Sequence, residues 1–90
     1  MTGGYCYRAE ILVELVRYGV RPTSSTRPEV VHEFVSDLYR HELRRLRDRL
    51  LRKEFPKQEY FGRVVELRKR YRIISMRASD WLEPGRKGSD

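Results

Sequence analysis

The sequence predicts a small all-α domain: three helices, the central one long and folded into an antiparallel helical hairpin, with a short extended C-terminal segment. Three observations carry that expectation. Apolar residues recur at three- and four-residue steps in three separate stretches, and no Gly or Pro lies between Pro28 and Pro56. Clusters of Pro, Ser and Thr mark the one long break between stretches. With 90 residues the chain has the size of a single domain, taken here as residues 1–84 with 85–90 as a flexible tail.

The first helix is expected from Tyr7 to Tyr18. Ile11, Leu12, Leu15 and Val16 share one side while Arg8, Glu10, Glu14 and Arg17 take the other, and Gly19 is placed to end it. The following stretch, VRPTSSTRPEV, contains side chains that compete for backbone hydrogen bonds and so favours a loop. Thr26, Pro28 and Glu29 then form a helix-start pattern, with Thr26 and Glu29 spaced as a capping box.

The second helix is expected to run from there to about Glu54, a rod on the order of 40 Å long. Its seam is Val31, Val35, Leu38, Tyr39, Leu43, Leu46 and Leu50. Pro56 disfavours helical geometry at Phe55 and breaks the rod. A third helix starts near Lys57, with Tyr60, Phe61, Val64, Val65, Leu67 and Tyr71 on its apolar side and Gly62 as an internal weak point. The short connection makes the second and third helices antiparallel neighbours.

Beyond Tyr71, Ile73 and Ile74 could prolong the third helix, form a short strand or cross the core as an extended segment. Trp81 and Leu82 form an apolar anchor that either packs on the same core or serves as a protein-docking peptide.

Composition narrows the function classes. The net charge is +7, and sixteen of the twenty basic residues are Arg, whose planar fork suits phosphate and carboxylate. Residues 1–35 carry four basic and four acidic groups, whereas residues 36–60 carry eight and five, and residues 61–77 six and one. The excess therefore sits on the helical pair. A lone Cys6 cannot form an intramolecular disulfide, and no stretch is apolar enough for a membrane span, so the expected setting is the cytoplasm.

Within YRHELRRLRDRLLRK, Arg45, Arg49 and Arg52 lie near acidic residues, with Glu42 to Arg45 and Asp48 to Arg52 spaced for pairing. Arg40, Arg44 and Arg47 instead form a like-charge ridge, at roughly 140°, 180° and 120° on a projection with Val35 at zero. Each like-charge neighbour pair opposes the isolated helix by roughly 0.2–0.5 kcal/mol. Arg68 and Arg72 make a second such step on the third helix.

The expected function is non-enzymatic binding of nucleic acid or ribonucleoprotein through phosphate contacts at Arg40, Arg44, Arg47, Arg68 and Arg72. The alternative is a helical adaptor or complex subunit, whose arginines meet an acidic protein surface and whose Trp81 and Leu82 dock on a partner. The long seam also suits a homodimer. His32 and His41 point in different directions and cannot share a metal, and Ser24, Ser25 and Cys6 lack a nucleophile motif, so neither a metal, a cofactor nor catalysis is expected. Of the tyrosines, Tyr39, Tyr60 and Tyr71 fall in the seams, leaving Tyr5, Tyr7 and Tyr18 as candidate platforms for base stacking.

Overall fold

A single 24-residue helix, Pro28–Leu51 (α2), forms the spine onto which the rest of the chain is laid. The computed structural model describes residues 4–84, so the expected tail 85–90 lies outside the described residues. Ahead of the spine lies Ala9–Arg17 (α1) and after it Tyr60–Arg70 (α3), with 3-10 turns at Lys57–Glu59, Arg72–Ser75 and Ala78–Trp81. The described residues contain no β-strand, only one antiparallel bridge between Tyr7 and Leu82. The molecule measures 56 × 17 × 17 Å and its radius of gyration is 16.5 Å, against about 12 Å for a compact chain of this length. The all-α class and the long central helix are therefore as the sequence predicts.

The start of α2 differs from expectation. Pro28 occupies the first turn, and Arg27, in extended geometry and without a side-chain cap bond, is the capping residue. Thr26 does not cap: its Oγ1 accepts from the Thr23 N–H at 2.9 Å within the preceding turn, and its carbonyl accepts the Tyr7 hydroxyl at 2.7 Å. The local turn takes both groups the capping box would have used, since the Thr26 N–H also donates to Thr23 O at 3.0 Å.

Both α1 and α2 end in the same way. The Val20 N–H reaches Leu15 O and the Gly19 N–H reaches Val16 O; at α2 the Glu54 N–H reaches Arg49 O and the Lys53 N–H reaches Leu50 O. These paired bonds need one left-handed residue, supplied by Gly19 at φ 79° and by Lys53 at φ 63°. Where α1 closes with an apolar Leu15–Val20 pair, α2 closes with an Arg49–Glu54 ion pair at 3.0 Å. The turn stops α2 three residues before Glu54.

Different parts of the chain cover the two halves of α2. Along its second half α3 runs antiparallel: the Tyr71 hydroxyl donates to Glu42 at 3.2 Å, and Leu46 and Leu67 are buried. Buried Phe55 closes that end, with the guanidinium groups of Arg49 and Arg63 at 5.5 and 4.2 Å from its ring. Along the first half lie α1, contributing Ile11 and Leu15, and the C-terminal turns, contributing Ile73 and Trp81, all packed with Val31 and Val35.

Trp81 is the centre of that upper core and has no exposed surface. Its indole N–H donates to Ile73 O at 3.0 Å, its carbonyl accepts the Arg8 N–H at 2.9 Å, and its ring tilts against His32 at 5.1 Å. His32 Nε2 lies 2.8 Å from Met76 O and 3.1 Å from Ile74 O, tying the same segment to α2. The Glu83 N–H donates to Cys6 O at 2.8 Å, so the two ends of the described chain lie side by side. The C-terminal segment realises none of the conformations expected at Ile73 and Ile74, folding into the 3-10 turns Arg72–Ser75 and Ala78–Trp81 instead of an extended strip. Of the two readings of Trp81 and Leu82, packing on the core is the one realised, since Trp81 offers no ring for docking and Leu82 is half-buried beside Tyr7.

The halves meet at a tyrosine cluster. Tyr18 stacks on Tyr71 with centroids 4.8 Å apart, and Tyr39 tilts against Tyr71 at 5.5 Å. Burial first, then the negative charge of Glu42 and the hydrogen bond to it, push the Tyr71 phenol up to about 12. Burial likewise raises Tyr7 and Tyr18.

Two outcomes follow. Trp81→Ala should destabilise the protein by about 3–5 kcal/mol, read from urea unfolding followed by circular dichroism, with Trp81→Phe losing less. The neutral phenol of Tyr71 is the form favoured by folding, so its stabilisation is complete below about pH 10 and is lost as pH rises towards about 12. Tyr71→Phe should therefore flatten the fall of thermal stability between pH 10 and 12, although it loses the Glu42 bond at neutral pH.

Candidate nucleic-acid interface

The basic excess is carried by the second half of α2 and by α3, where ion pairs divide the arginines into committed and uncommitted groups. Arg49 and Arg52 both donate to Glu54 at 3.0 Å, and these bonds hold the Glu54 carboxyl below its ordinary range. Arg63 donates to Glu59 at 3.0 Å. The expected Glu42–Arg45 and Asp48–Arg52 pairs do not form, because Glu42 turns to the Tyr71 hydroxyl and Arg52 turns to Glu54 in the closing turn.

The five expected phosphate contacts fare differently. Arg40 pairs with Asp37 and remains exposed. Arg72 begins the 3-10 turn after α3 and so does not stand on the third helix with Arg68; it donates at 3.3 Å to Glu14, a buried carboxylate that also meets Arg17 at 3.8 Å, and ties that turn to α1. Arg44, Arg47 and Arg68 are exposed and form no ion pair among the described residues.

The hairpin register places those three at one level. Glu42 meets Tyr71, and Arg49 and Arg63 share the Phe55 ring, so residues of α2 and α3 face each other when their numbers sum to about 113. Arg68 is thus level with the turn that carries Arg44 and Arg47. Rotation follows from the groove between the helices, a cavity of about 640 Å³ whose lining includes Glu42, Arg45 and Arg49 from α2 and Gly62, Glu66 and Arg70 from α3. In an antiparallel pair the flanks on one side of the seam have the same sign of rotation on both helices. The groove residues occupy the negative flank of each helix; Arg47, at roughly 120° on α2, and Arg68, at roughly 100° from Leu67 on α3, occupy the positive one. The two ridges therefore share the face opposite the groove, with Arg44 at its outer edge and Arg40 one turn away.

The groove itself is electrically mixed. Arg63 is held by Glu59 and Glu66 by Lys69 at 3.7 Å, leaving Arg45 and Arg70 as its cations without an ion pair among the described residues. At Gly62, on its lining, a Cβ would meet nothing within 4 Å, so the groove has room for a side chain there.

The tyrosine platforms do not survive folding. Tyr7 is buried and hydrogen-bonded to Thr26, Tyr18 is stacked on Tyr71, and Tyr5 is half-buried. The exposed aromatic of this hairpin is one the periodicity assigned to the apolar side: Phe61, 74% exposed, with Leu51 at 71% on the facing turn. Phe61 stands roughly 120° from Leu67, seven residues before Arg68 and on the same stripe. A projection centred on Leu67 would have revealed it.

Among the described residues, no group of three or more His, Cys, Asp or Glu is placed to hold a metal, and no helix is long and apolar enough to cross a membrane. Cys6 is free and exposed. No protein-family model matches the chain, and searches of curated proteins and of solved structures find no match either.

Proposed function

We propose that this is a non-enzymatic, cytoplasmic protein that binds nucleic acid or ribonucleoprotein through phosphate contacts on the hairpin face carrying Arg44, Arg47 and Arg68. The observation that carries the reading is the placement of three exposed arginines, none of them ion-paired among the described residues, at one level of one face. Their mutual repulsion opposes the free fold, and an anion laid across them turns that cost into attraction. Arg40 can join them, because an exposed ion pair such as Arg40–Asp37 is worth no more than about 1 kcal/mol. Arg72, engaged with Glu14, serves the fold.

A protein partner is the second reading, favoured by a different surface. Leu12, Val13 and Val16 of α1 and Val30 and Phe34 of α2 are exposed on the electrically balanced half of the molecule. An adaptor, complex subunit or homodimer would bury that surface instead of Trp81.

Binding to duplex DNA should weaken with salt at a log-log slope near −3 for three phosphate contacts, about one unit steeper if Arg40 takes part. Reversing Arg44, Arg47 and Arg68 to Glu should abolish binding while leaving the helical circular-dichroism spectrum and the oligomeric mass unchanged. Loss of assembly without any nucleic-acid binding by the parent protein would favour the second reading.

A further inference from the structure

We infer that the preferred ligand of the hairpin face is single-stranded nucleic acid, with Phe61 as a stacking platform for an unpaired base; this rests on the phosphate-contact reading above. Phe61 is 74% exposed, and its ring makes none of the aromatic or cation–π contacts found among the described residues. It lies two helical turns from Arg68, about 10.5 Å along the same stripe of α3. Across the hairpin it is level with exposed Leu51, one turn beyond Arg47. The face therefore has cations at its middle and an aromatic ring with an apolar neighbour at its tip.

That combination selects among polyanions. A duplex keeps its base faces stacked inside and presents phosphates, so it would use the arginines and gain nothing from Phe61. An unpaired strand presents both phosphates and free π-faces, and stacking on an aromatic side chain tolerates any base. A membrane surface is a poorer fit, because interfacial helices need a continuous apolar face and here Val64 and Val65, between Phe61 and Arg68, are half-buried. A second copy of this face would bring like charges together.

The test compares a labelled single strand of about 12 nucleotides with the same strand in duplex, by fluorescence anisotropy at low salt. Phe61→Ala should weaken single-strand binding by about 5- to 150-fold and leave duplex affinity and both salt slopes unchanged. In Phe61→Trp, the added indole emission should be quenched by the single strand and not by the duplex. Equal effects of Phe61→Ala on both ligands, or none on either, would overturn the stacking inference while salt-dependent binding still upheld the phosphate contacts. Absence of binding to both forms by the parent protein would remove both. Tighter binding to phosphatidylserine vesicles than to the single strand would replace the ligand class with a membrane surface.

Discussion

The burial of Trp81 is the contact on which the arrangement depends. A spine of 24 residues extends about 36 Å, more than α3 alone can cover, and the remainder needs an apolar lid. Trp81 fills that place between α1 and α2, and its indole bond to Ile73 fixes the turn that brings the chain back from α3. The Arg8 N–H then holds the carbonyl of Trp81 and the Cys6 carbonyl accepts the Glu83 N–H, so both ends of the described chain are fastened to the same half of α2. A full lid over one half leaves α3 free to pair with the other.

That division is also electrostatic. The upper half joins the balanced N-terminal segment to the end of the chain, and its buried Glu14 draws in Arg17 and Arg72. In the lower half Arg49 and Arg52 on Glu54 and Arg63 on Glu59 close the hairpin, and Lys69 pairs with Glu66 along α3. Cations beyond these have no structural task visible in their contacts. The proposed ligand would do for Arg44, Arg47 and Arg68 what Glu14 does for Arg72.

Much of this architecture was legible in the sequence because it depends on short-range rules. Periodicity located the three helices, Gly19 marked the end of α1, and Pro56 marked the break before α3. What could not be read locally was decided by contacts across the chain. Thr26 lost its capping role to a turn with Thr23; Arg72 met a carboxylate 58 residues away; and Trp81 found a core built from both ends of the chain. Spacing identified the Arg40, Arg44 and Arg47 ridge, but the level and face it shares with Arg68 required the hairpin register. Phe61 was missed for a simpler reason, since counting it with the apolar residues of α3 overlooked its angle to Leu67.

The proposal that uncommitted arginines form the contact surface is tested most directly by arginine side-chain NMR. Nε–H correlations of the full chain, assigned through single Arg→Lys variants, would be followed during titration with a short single-stranded oligonucleotide. Arg44, Arg47 and Arg68 should shift together and saturate at one stoichiometry, while Arg8 and Arg72, held by Leu82 and Glu14, stay in place. Shifts confined to Arg21 and Arg27, or no shift at any arginine, would contradict the account.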